Sequence, residues 1–146
     1  MKKEDIVTKE TMRMIIEEEK EQLFEMANLQ PRTTGLKTVL YSTFDDDEES
    51  YQHSSPRVKI KTINAGRFPI LLEPNVEPLN SNGEYNRLKN EDLKIVDEAV
   101  EYVKENKESF LSHWYGRIGD EQLRKVLTGI MSLKEAEEDA MQNGVE

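Results

Sequence analysis

The chain reads as a small α+β protein. Three observations predict it: a clean apolar–polar alternation at residues 57–62, apolar spacing of three and four residues from 90 onward, and isolated turn residues between the two regions. The 146 residues suit one domain with its own core. At 36% hydrophobic and 34% charged, that core is modest and the surface rich in charge.

Residues 5–27 predict an amphipathic helix, with Met12, Ile15, Ile16, Leu23 and Met26 on one face and Glu17, Glu18, Glu19 and Glu21 on the other. Pro31 forbids its continuation. Residues 35–44 carry the β-branched and aromatic content of a strand, and Asp45 to Glu49 make an acidic loop. Pro56 opens the next strand. Over 57–62, Arg57, Lys59 and Lys61 share one face, and Val58, Ile60 and Thr62 the other. Asn64-Ala65-Gly66 turns the chain into a strand over 67–73, with Phe68, Ile70 and Leu72 on its apolar face. Pro69 implies an unpaired edge or a bulge there. The expected sheet is therefore three-stranded, antiparallel, and packed on helices.

Residues 74–89 predict a loop without regular structure. Asn90 is the expected cap of a long helix over 90–115, interrupted at Lys107 and ended by Gly116. Asp120 is the expected cap of a helix over 120–131. Ser132 and Glu135 fit a capping box for a short last helix, with a frayed tail from about Ala140. The division is 1–27 as an N-terminal helical appendage, 28–131 as the α+β domain, and 132–146 as C-terminal helix and tail.

The net charge of −10 is unevenly spread. Five acids fall at 45–49, and seven acids face three bases in each of 91–108 and 120–146. In contrast, residues 50–90 hold six bases and three acids. The helices are acidic and the sheet is locally basic. The overall charge disfavours general nucleic-acid binding, which draws its affinity from phosphate contacts. No stretch approaches the roughly 20 apolar residues of a membrane span, and no signal-peptide-length apolar run follows the N-terminus. A cytoplasmic protein is the expectation.

Catalytic signatures are sparse. Cysteine is absent, so thiol chemistry is excluded. His53 and His113 lie far apart with no zinc or EF-hand spacing, and no metal or cofactor is expected. No GxSxG, Walker or GxGxxG motif occurs. Ser54 and Ser55 beside His53 are linked by adjacency alone. Glu73 and Glu77 flank Pro74 as ordinary surface carboxylates. No catalytic residue is assigned.

The candidate binding residues are Arg32, Thr33, Thr34, Lys37, Arg57, Lys59, Lys61, Tyr115 and Arg117. The cations on the 57–62 strand repel one another. Either the chain's own acidic segments cover them or an acidic partner does. The segment His113-Trp114-Tyr115-Gly116-Arg117 concentrates residue types common in binding hot spots, with Trp114 favoured as a structural anchor. Arg32, Thr33 and Thr34 could hold an anion near Trp114.

Pro31-Arg32-Thr33-Thr34-Gly35-Leu36, Arg57-Val58-Lys59-Ile60 and Trp114-Tyr115-Gly116-Arg117-Ile118 together resemble a group of short uncharacterised bacterial and phage proteins of unknown function. Their pattern is a PRTTGL-like opening, a VRVKV-like strand and a WxGxI helix end, often encoded near toxin–antitoxin or mobile elements. The resemblance spans roughly residues 28–130. It implies a hairpin followed by a helix and carries no established activity. The leading expectation is a non-enzymatic regulator acting through protein contacts, antitoxin-like or phage-encoded, with a homodimer among the partners considered. One alternative is a protein or enzyme for a small anionic ligand near Arg32–Thr34 and Trp114. Another is a nucleic-acid module using the basic sheet face.

Overall fold

The computed structural model describes residues 27–43 and 55–145. The expected helix over 5–27, apart from Ala27, and the acidic loop at 45–49 lie outside them, as do His53 and Ser54. The described chain is α+β. Its antiparallel sheet runs in sequence order through β1 (Ala27–Leu29), β2 (Leu40–Ser42), β3 (Arg57–Lys61), β4 (Arg67–Leu71) and β5 (Glu77–Pro78). After a 3₁₀ turn at Tyr85–Arg87 come the main helices. A four-residue helix, α1 (Pro31–Thr34), sits between β1 and β2.

The sheet thus has five strands, where the sequence pattern predicts three. The expected strand over 35–44 shortens to β2, because Gly35 takes a left-handed φ of 80° as the C-cap of α1. β1 and β5 are three and two residues long, too short to display a period of two. Ala27, placed at the end of the predicted N-terminal helix, begins β1 instead and pairs with Ser42.

The hairpin of β3 and β4 is the centre of the fold. Val58 pairs with Ile70 and Ile60 with Phe68, and all four are buried. This apolar face packs on helix α2 (Asn90–Glu105) through Ile95, Val96, Ala99 and Val103. At the usual ~25 cal/mol per Å² of apolar area, each of the isoleucine and valine side chains contributes about 1.5–3 kcal/mol. Pro69 sits inside the sheet, not on a free edge, since β5 pairs beyond it. The bonds Thr62 N–H to Gly66 O and Leu72 N–H to Pro56 O fix the ladder's phase. Residue 69 is then a non-bonded partner of Lys59, so its missing N–H faces β5. There the pairing is short, and Pro69 need only accept, from the N–H of Leu79 at 3.0 Å.

The helix boundaries differ from the predicted ones for local reasons. Lys89 is the N-cap of α2, and Asn90 is its first residue, with a φ of 51° and no side-chain cap. The long helix breaks at Asn106 into α2 and α3 (Lys107–Trp114). Gly116 ends α3 in a Schellman motif. Its left-handed φ of 73° lets Arg117 N–H reach Ser112 O and its own N–H reach His113 O. Gly129 does the same for α4 (Asp120–Leu127), which stops four residues before the predicted end. Ser132 and Glu135 cap α5 (Leu133–Asn143) reciprocally, as their spacing predicts.

Candidate functional site

The register places Arg57, Lys59, Lys61 and Arg67 on the sheet face opposite the helices, as the alternation predicts for the three β3 cations. Lys61 lies directly across from Arg67, and Lys59 across from Pro69. Arg67 stacks its guanidinium 4.0 Å from the ring centre of Tyr41, a cation–π contact that fixes its direction. Tyr41 is opposite Lys59 on β2 and is only 7% exposed. Burial pulls the Arg57 guanidinium below its ordinary pKa, though an arginine stays charged at physiological pH. Among the described strand residues on this face the acid is Glu77, opposite Leu71. Among the described strand residues, this face thus gathers four cations and one carboxylate on a chain of net charge −10.

The remaining sequence candidates do not join this face. Lys37 turns to α2, 3.6 Å from Glu98 and 3.9 Å from Glu91. Arg32 is exposed on α1, whereas the Thr34 hydroxyl accepts the N–H of Leu36 at 3.1 Å and is committed to its own turn. Thr33 is half-buried beside it. Trp114 is buried, as an anchor of α3. Tyr115 donates its hydroxyl to Glu73 Oε1 at 2.8 Å, and Arg117 lies 5.5 Å from the Tyr115 ring centre. This cluster ties the end of α3 to the segment after β4.

Sequence reasoning missed a polar chain through the core. Ser42 Oγ is 2.8 Å from His113 Nδ1, and His113 Nε2 is 2.9 Å from Asp120 Oδ1. With Asp120 ionised, Nε2 carries the proton and donates it, and Nδ1 accepts from the serine hydroxyl. The residue types are those of a hydrolytic triad, but Ser42 is 1% exposed and His113 is fully buried. A nucleophile must meet its substrate; this serine faces packed core. The chain instead ties β2, α3 and the first turn of α4 together. It also explains why Asp120 is not the cap of α4. Gly119 is, and its N–H donates to Gln122 Oε1 at 2.7 Å.

A groove of about 300 Å³ opens at the head of β4. Phe68, Pro69, Leu79 and Leu88 supply its apolar wall, and Arg67 and Arg87 its cations. It lies at the opposite end of β4 from Glu73 and Tyr115, and Leu79, Glu84, Arg87 and Leu88 of its lining come from the 74–89 segment expected to border a pocket with the Trp114 helix and Arg32–Thr34. Glu84 also lines it, accepting the N–H of Asn82 at 2.6 Å. Backbone hydrogen bonds, its own first, hold the Glu84 carboxyl below its ordinary pKa. Among the described residues no group of three or more His, Asp or Glu side chains could hold a metal ion, and no helix is long and apolar enough to cross a membrane.

No family model matches this chain. No curated protein and no solved structure matches it either.

Proposed function

We propose that this chain is a small non-enzymatic binding protein that engages an acidic protein surface through the outer face of its sheet. The observation that carries this reading is the exposed Lys61, on the same outer face of β3 as Arg57. An acidic surface complements cations presented on one face, and the attraction steers its approach to them. The burial of Ser42 and His113 removes the main support for a hydrolase. The resemblance noted above adds an antitoxin-like or phage-encoded regulator to this reading.

The test is a charge reversal. Arg57→Glu with Lys61→Glu should abolish capture of a stoichiometric protein from native lysate while leaving the melting temperature within a few degrees. Capture that survives the reversal overturns the reading. An electrophoretic shift of duplex DNA at low salt, lost in the same variant, would assign the face to phosphates instead.

A further inference from the structure

We propose that α5 is a releasable helix. It undocks from α3 and α4 as a unit while the sheet and α2 stay folded, because buried donors gripping its carboxylates hold it where other helices rely on apolar burial. The buried side chains of α5 are Ala136 and Ala140, and Leu133 is partly buried against the core. Met141, its other large apolar residue, is 86% exposed. An alanine methyl removes little apolar area from water. In contrast, α2 buries Ile95, Val96, Val100 and Val103, and α3 buries Phe110 and Trp114.

Two buried polar side chains supply the grip. Ser112 of α3 donates its hydroxyl to Glu137 Oε2 at 3.1 Å. Gln122 of α4 is fully buried, and its Nε2 donates to Asp139 Oδ2 at 2.8 Å and to the Gly144 carbonyl at 3.1 Å. Asp139 Oδ1 accepts from Asn143 Nδ2 at 2.9 Å. The bond from Gln122, then that from Asn143 and the charge of Lys125, holds the Asp139 carboxyl below its ordinary pKa. The seat therefore fits the ionised form, whose hydrogen bonds are roughly twice as strong as neutral ones. Water can take over the same groups once the helix leaves, so release strands no buried donor. α5 also carries its own start, since Ser132 and Glu135 cap it reciprocally without help from α3 or α4. An element with few buried apolar contacts opens at a lower free energy than the whole domain. Its release bares Ser112 and Gln122.

The chain has no cysteine, so a single introduced thiol reports opening. Ala136→Cys places it on the docked face of α5, and Val103→Cys places it in the core on α2; both positions are 0% exposed. With excess dithiobis(nitrobenzoate) at neutral pH and no denaturant, the full chain carrying Ala136→Cys should react at least ~tenfold faster than the one carrying Val103→Cys. Adding Glu137→Gln and Asp139→Asn keeps both shapes and removes both charges. It should raise the Ala136→Cys rate by a further ~tenfold and leave the Val103→Cys rate unchanged. Equal rates at the two thiols overturn the proposal, because α5 then opens only with the whole domain. Acceleration of both thiols together by the neutral pair also overturns it. Hydrogen exchange on the unsubstituted chain is the second readout. The helical amides of α5 should open together, well before those of α2 and β3. Protection that falls steadily toward Asn143 is fraying of the helix end and overturns release as a unit.

Discussion

Ser42 and His113 are joined by a 2.8 Å hydrogen bond across 71 positions of sequence, with Asp120 on the far nitrogen of the ring. His113→Leu should therefore cost about 2–4 kcal/mol in urea unfolding, because it strands a buried hydroxyl and frees a carboxylate. His113→Gln, which keeps a polar group at the site, should cost less. A fluorophosphonate probe, which labels activated serines, should leave Ser42 unmodified in the folded protein. Labelling at Ser42 would show that the core opens to reagents and that the residue is a nucleophile.

Asp92 clamps a turn nearly thirty residues earlier. Asp92→Ala removes both acceptors from the amides of Ile63 and Asn64 and should lower stability by about 1–3 kcal/mol. Asp92→Asn retains one acceptor and should lose less. Hydrogen exchange at the two amides should rise in the alanine variant well before global unfolding. Unchanged exchange there would mean that the turn holds itself.

Tyr102 makes an alkaline prediction. Its hydroxyl is buried with no hydrogen-bond partner among the described residues. Burial, reinforced by the charge of Glu105, pushes its pKa up to about 12 from 10.0. The folded state holds this proton more tightly than the unfolded chain. Stability is therefore fully present below pH 10 and declines as pH rises from 10 toward 12. Tyr102→Phe should remove that part of the alkaline loss and be neutral to stabilising, by up to ~1 kcal/mol, at pH 7. Marked destabilisation at pH 7 would reveal a partner for the hydroxyl.

The two faces of β3 should separate stability from binding. Val58 is 1% exposed and Lys61 is exposed. Val58→Asp buries an unpaired charge and should cost about 4 kcal/mol or more, enough to unfold a domain of this size. Lys61→Ala should change stability by less than about 0.5 kcal/mol and weaken an acidic partner. Circular dichroism melts of both variants, with capture from native lysate on the second, check the pair.

Much of the fold is legible in the sequence because its signals are local. The alternation from Arg57 to Thr62 sets which side chains enter the core. Gly116 closes α3 at a left-handed φ that glycine adopts with no Cβ penalty, and Ser132 with Glu135 specifies where α5 begins. Trp114 is buried as its helical spacing implies. β1 and β5 escape such reading since their pairing, not their composition, makes them strands. Asp120 has the look of a cap, yet a histidine from another helix takes its carboxylate.

By itself, the sequence determined the α+β class, the inward and outward faces of the central hairpin, and the separation of acidic helices from a basic strand. These depend on neighbours within a few positions, where periodicity and charge can be counted. Only the tertiary structure decided that Lys37 turns to α2 while Arg67 stacks on Tyr41. It also decided that Ser42 meets His113 in the core and that a groove opens where β5 runs out. Those relations join residues tens of positions apart, and strand register and helix packing alone bring them within bonding distance.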